Sequence, residues 1–252
     1  MVNPFFQRTA MIAGGDALEK LGRTGVLVFG TGGVGGWCAE ALVRSGIGKI
    51  TIVDFDTVCE SNVNRQLQAT SRTVGRLKVE VLKERLLEIN PECRVEAWAK
   101  AFSRENAGMF GIENHGYVID AIDSLTHKLD LIETACSCGV KFFSSMGMAR
   151  KKNPLGLKTA DIWETKGCPI ARLLRQGLRK RGFKQHFTVV YGEECLGNIP
   201  VGIPAPAAAT STGFLDRKLP NGSLVTVTAT AGLILAGLVL EDVIRGSPDC
   251  CN

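Results

Sequence analysis

The sequence predicts an α/β fold with a doubly wound, mostly parallel sheet, and three features carry that expectation. Short apolar runs alternate with helical patterns up to residue 150. The first run breaks into a glycine cluster, "VFGTGGVGGW", and the second, "KITIVD", ends on an acidic residue. A chain of 252 residues, 45% hydrophobic and 22% charged, also has the apolar mass to bury the core such a sheet needs.

Each element follows in order. Residues 1–25 form a helical leader, and Val26 to Phe29 is a buried strand. A helix from Val34 to Ser45 turns Ala39, Leu42 and Val43 inward until "SGIG" stops it, and "KITIVD" closes a βαβ unit at Asp54. In "GRLKVEVLKERLLEIN", Val79, Leu82, Leu86 and Ile89 recur at helical spacing, and Asn90 with Pro91 ends the helix. "CRVEAWA", "YVIDAID" and "KFFSSM" read as further strands, with the helix "THKLDLIETACSCG" before the last. This alternation is Rossmann-like and covers a nucleotide-binding core over residues 26–150.

Beyond residue 150 the rhythm loosens into a C-terminal extension, 151–252, of the same single domain. "ARKKNPLGLKTADIW" is a loop entering a strand, "CPIARLLRQGLRKRG" a basic helix and "HFTVVYG" a strand. The stretch "GNIPVGIPAPAAATSTGFLDRKLPNGS" has prolines, small residues and no periodicity, the pattern of a mobile crossover loop covering a site. "LVTVTATAGLILAGLVL" reads as a buried strand and helix, because it is threonine-rich and shorter than the ~20 residues of a membrane crossing. No membrane association is expected.

The net charge of +5 suits an anionic partner and equally an ordinary soluble protein. Nine cysteines, an odd number with no two-residue gap between any pair, give no basis for a structural zinc. The opening "MVNPFFQRTAMIAGG" lacks the apolar core of a signal peptide, so the expected compartment is the cytoplasm.

Glycines between a strand and a helix let backbone approach a phosphate, in a dinucleotide or in ATP. Asp54, placed to accept ribose hydroxyls, fits both. The segments "DFDTVCESNVNRQ" and "GRLKVE" favour ATP, because Asn62, Arg65 and Lys78 suit phosphates whose charge shifts under attack. In "DAIDS", Asp120 and Asp123 offer a carboxylate for Mg²⁺, and no GxxxxGK[ST] motif occurs.

"GTGGVG", "DFDTVCESNVNRQ", "VGRLKVE" and "DAIDS", in that order, resemble the ubiquitin-activating-enzyme-like superfamily with its ThiF, MoeB and HesA members. The resemblance implies ATP binding and attack of a carboxylate on the α-phosphate, giving an acyl-adenylate and pyrophosphate. It places Gly30, Gly32, Gly33, Gly35 and Gln66 along the nucleotide, Asp54 on the ribose with Asp56 in support, Asn62, Arg65 and Lys78 on the phosphates, and Asp123 on Mg²⁺. The leader "FFQRTAMIAGGDALEKLG" resembles the family's opening, which implies a homodimer with Arg8 reaching the partner's site. Arg8, Arg65, Lys78 and Asp123 then form the catalytic set.

Other branches of the superfamily carry paired CxxC motifs and a catalytic cysteine. Here Cys168 and Cys195 are open as nucleophiles or as small filler residues. "DAIDSLTHKLDLIETACSCGVKFFSSMGMARKKNP", "ADIWETKGCPIARLLRQGLRKRGF" and "GSLVTVTATAGLILAGLVLEDVI" are similar to the tRNA threonylcarbamoyladenosine dehydratase group. That likeness implies adenylation of the threonyl carboxylate beside the anticodon, then ring closure by the ureido group without a thiol intermediate. It gives Arg172, Arg175, Arg179, Lys180, Arg181 and Lys184 a use in binding tRNA, with Arg150, Lys151 and Lys152 as a second basic cluster. It also links the chain to a cysteine-desulfurase or sulfur-acceptor partner. "MGMARK" and "TKGCP" depart from the group's "MGAGNK" and "xxDP". The alternatives are adenylation of a ubiquitin-like sulfur carrier and, in a different class, an NAD-binding redox module.

Overall fold

The computed structural model describes residues 3–197 and 221–246. Seven strands form one sheet: β1 (Gly25–Phe29), β2 (Lys49–Val53), β3 (Arg94–Trp98), β4 (Tyr117–Asp120), β5 (Lys141–Ser145), β6 (Leu157–Asp161) and β7 (Thr188–Gly192). Their order is β3-β2-β1-β4-β5-β7-β6, parallel throughout except for β6, which lies antiparallel at one edge. The expected α/β, doubly wound architecture is therefore present.

The helices are α1 (Gln7–Ala13), α2 (Gly15–Arg23), α3 (Gly35–Arg44), α4 (Lys78–Ile89), α5 (Leu125–Ser137), α6 (Pro169–Lys180) and α7 (Val225–Arg245). The period of two along the strands divides the core between the faces of the sheet. Val26, Val28, Ile50, Ile52 and Ile119 pack with α2, α3, α4 and α7. Leu27, Phe29, Val53 and Val118 face the other way, toward α5 and α6.

One expectation is corrected by α7. The sequence suggested a strand followed by a helix, whereas Val225–Arg245 is one helix of 21 residues. Its threonines fit because their hydroxyls bond back along the helix, Thr230 Oγ1 to the Thr226 carbonyl at 2.6 Å. Small residues then allow close packing on α3: a Cβ at Gly232 would lie 2.4 Å from the Val34 carbonyl oxygen. The helix has the length and hydropathy of a membrane span, yet Val227, Ala231, Leu235 and Val239 are fully buried in the core. Most of the expected crossover loop, residues 198–220, lies outside the described residues.

Candidate active site

Strand order reverses between β1 and β4, and the register brings their carboxyl ends level, with Phe29 opposite both Val53 and Asp120. Open α/β sheets bind ligands in the crevice at such a reversal. The chain leaves β1 through Gly30 at a φ of 84°. A Cβ there would meet the Ala121 carbonyl oxygen at 2.6 Å, and one at Gly35 would fall 1.8 Å from the Gly30 carbonyl oxygen. So α3 begins directly on the loop, and the backbone amides of its first turn mark an anion site. The Cβ positions of Gly32 and Gly33 lie 3.7 Å from Gln66 Nε2 and 3.3 Å from Arg65 Cγ, which places both side chains along the loop.

Beside the loop, Asp54 Oδ2 accepts from the Thr31 amide at 2.7 Å and from Thr31 Oγ1 at 3.0 Å. Its Oδ1 accepts the Asp56 amide at 2.9 Å and keeps a lone pair for a further donor. Asp56 in turn holds Lys78 Nζ at 2.7 Å. Lys78 is buried at the first position of α4, where the helix's own partial positive charge opposes a cation. Asp56 offsets that conflict, and an anionic ligand would offset it further.

Arg65 is half-buried, donating to the Ser61 carbonyl at 2.8 Å and to Asn64 Oδ1 at 2.9 Å. Burial lowers its pKa, and the charge of Asp123 works against that shift. Asn62 Oδ1 caps its own turn by accepting the Cys59 amide at 3.1 Å. Gln66 is buried, with Oε1 unpartnered among the described residues, an acceptor suited to a donor on a ligand. Asp123 is exposed just past β4. A glycine cradle, a carboxylate with spare acceptor capacity, two cations and an unpartnered buried amide oxygen fit a nucleoside triphosphate. Among the described residues no three His, Cys, Asp or Glu side chains gather as a metal site.

Asp120 and Asp123 separate in role. Asp120 is fully buried and pairs with Lys128 Nζ at 2.6 Å, Ser144 Oγ donating at the same distance, so only Asp123 is open to an ion. Lys128, absent from the sequence-based site, anchors the turn through Asp120, whose Oδ1 accepts the Ile122 amide at 3.1 Å. A signal for it existed. Lys128, Leu131, Ile132 and Ala135 share the buried face of α5.

The basic clusters are also redistributed. Lys151 is buried and donates to the Glu194 carbonyl, so it is not part of an exposed cationic patch. Arg150 has a φ of 60° and is tied through its amide to the Gly222 carbonyl at 2.8 Å and through its own carbonyl to the Leu196 amide at 2.9 Å. On α6, Arg175 donates to Thr165 and Arg179 lies 5.4 Å over the Trp163 ring. Arg181, just past α6, pairs with Asp130 at 2.7 Å and Glu133 at 2.8 Å. Arg172, Lys180 and Lys184 are exposed without a partner among the described residues. Arg8 is likewise exposed on α1, unpaired among the described residues. Cys168 is buried in the core, whereas Cys195 is exposed.

The sequence profile of the ThiF family matches residues 6–239. The chain belongs to the ThiF family. Among ThiF-family relatives, it is 38% identical over 240 residues to the tRNA threonylcarbamoyladenosine dehydratase of Bacillus subtilis, covering 95% of this chain and 94% of that protein. It is similar, at 32% identity and a TM-score of 0.83, to the crystal structure of the Escherichia coli tRNA N6-threonylcarbamoyladenosine dehydratase, TcdA, in complex with AMP. That comparison covers 95% of this chain and 94% of the other. The ATP complex of the same Escherichia coli protein matches with the same identity and TM-score over 95% and 93%. The ThiF-family match spans the glycine loop, the Asp54–Asp56–Lys78 chain, Arg65 and Asp123 alike.

Proposed function

We propose that this protein is an ATP-dependent dehydratase of threonylcarbamoyladenosine in tRNA, acting through an acyl-adenylate. The observation that carries the proposal is the phosphate-handling set at the strand reversal, on a chain that matches a relative of that name over nearly its whole length. The glycine loop and the amino end of α3 hold the phosphates, Asp54 takes a ribose hydroxyl, and Lys78 and Arg65 stabilise charge that moves onto the leaving pyrophosphate. A threonyl carboxylate oxygen attacks the α-phosphorus, and the bond to the β-phosphate oxygen breaks. The ureido nitrogen then attacks the activated carbonyl carbon and gives up its proton to solvent, the ring closes, and AMP departs carrying the carboxylate oxygen. Mg²⁺, when bound, would neutralise phosphate charge, and Asp123 would hold it with phosphate oxygens and water.

Two features extend the proposal to partners. Arg172, Lys180 and Lys184 are the unpaired cations available to tRNA phosphates in and just beyond α6. Arg8 is flanked by exposed Phe5, Met11 and Ile12, which supports a homodimer in which this arginine serves the neighbouring site. No thiol step is needed, in keeping with the burial of Cys168. Heavy-oxygen labelling of the threonyl carboxylate tests the chemistry: one labelled oxygen should appear in AMP. Unlabelled AMP, or ADP as the product, would rule out the acyl-adenylate.

A further inference from the structure

We propose that Gln68 is a positioning residue for the nucleotide's sugar: its side-chain amide holds the Thr31 carbonyl and so sets the Asp54 carboxylate for a ribose hydroxyl. The proposal rests on the nucleotide reading of the site given above. Thr31 is fully buried, and all of its polar groups are committed. Its amide and hydroxyl both donate to Asp54 Oδ2, and its carbonyl accepts Gln68 Nε2 at 2.6 Å. A carbonyl can only accept, so the orientation of the Gln68 amide is fixed and its Oε1 points elsewhere. That oxygen is buried without a partner among the described residues and lies 3.0 Å from where a Cβ of Gly36 would stand, against the first turn of α3.

This arrangement separates Gln68 from a residue that merely fills space. An unpartnered acceptor in the core is a cost that methionine, similar in length, would avoid. What glutamine adds is the one bond to Thr31. Through that bond Thr31 is fixed at both of its flanking peptides, the Gly30–Thr31 amide by Asp54 and the Thr31–Gly32 carbonyl by Gln68. Loss of the Gln68 bond frees the Thr31–Gly32 peptide to turn, which loosens the hold on Thr31 and with it the two donors that Thr31 sets on Asp54 Oδ2. The nucleotide's phosphates, held by the glycine loop amides, Arg65 and Lys78, feel this change less than the ribose does.

The test measures affinity of the full-length protein for ATP and for dideoxy-ATP, which lacks both ribose hydroxyls. The wild type should favour ATP, and Gln68→Met should weaken ATP binding about ten-fold, the worth of one charge-assisted hydrogen bond. Dideoxy-ATP should bind the variant as it binds the wild type, so the preference between the two nucleotides collapses. Gln68→Leu, which also removes the donor and adds no charge, should collapse it too, and gives the same readout if Gln68→Met does not fold. A variant that keeps the wild-type preference, or loses affinity for both nucleotides equally, overturns the role of Gln68 alone. A wild type with no preference overturns the assignment of Asp54 to the ribose, and this proposal with it.

Discussion

Lys128 and Asp120 form a buried ion pair directly beneath the turn that carries Asp123. Charges in that position are costly unless both partners are present, so removing one leaves the other stranded. Lys128→Met should lower stability by about 3–5 kcal/mol in denaturant unfolding, and Asp120→Asn combined with it should recover part of the loss. An effect under about 1 kcal/mol would mean that water reaches the pair. The other site residues were open to reading because they follow strand ends: Gly30 after β1, Asp54 after β2 and Asp123 after β4. Lys128 was missed because a lysine on a helix is normally taken as solvated, although its spacing from Leu131, Ile132 and Ala135 put it on the buried face of α5.

At the scale of elements, β1 to β5 and α3 to α5 could be read from periodicity, because each has a strongly apolar face bounded by glycine, proline or asparagine. The α7 segment could not. Its threonines and valines favour strand locally, and helix wins through contact with α3 at Gly232, a partner nearly two hundred residues away in sequence. Basic residues in and just after α6 mislead in the opposite sense. The sequence shows them without an intervening acid, but the fold brings Asp130 and Glu133 from α5 to Arg181, and Trp163 to Arg179. Two outcomes follow from that division. Arg172→Glu with Lys180→Glu should weaken tRNA binding and lower its dependence on log salt by about 2, without changing the melting temperature. Arg181→Ala should instead destabilise the fold by about 1 kcal/mol, read by thermal melting, with tRNA affinity little altered.

For the molecule as a whole, Glu40 links α3 to α4 by accepting from Arg44 and Arg85. Burial alone would raise its pKa, but those hydrogen bonds outweigh burial and hold it below the ordinary 4.5. A carboxylate depressed in this way stabilises the fold at pH values above its unfolded pKa, and that contribution is lost as pH falls through the folded one. Glu40→Gln should therefore melt below the wild type near neutral pH, with the difference shrinking as pH falls below the ordinary 4.5. A constant difference across that range would place the effect in packing rather than charge. Both helices carry parts of the candidate site, α3 opening on the glycine loop and α4 starting at Lys78, so acid should also weaken nucleotide binding.

The most direct test of the central claim is the mass of the modified nucleoside after tRNA carrying threonylcarbamoyladenosine is incubated with the protein, ATP and Mg²⁺. The account predicts loss of one water, dependent on ATP and matched by AMP. An unchanged nucleoside, with AMP formed only when a ubiquitin-like sulfur carrier is added, would contradict it.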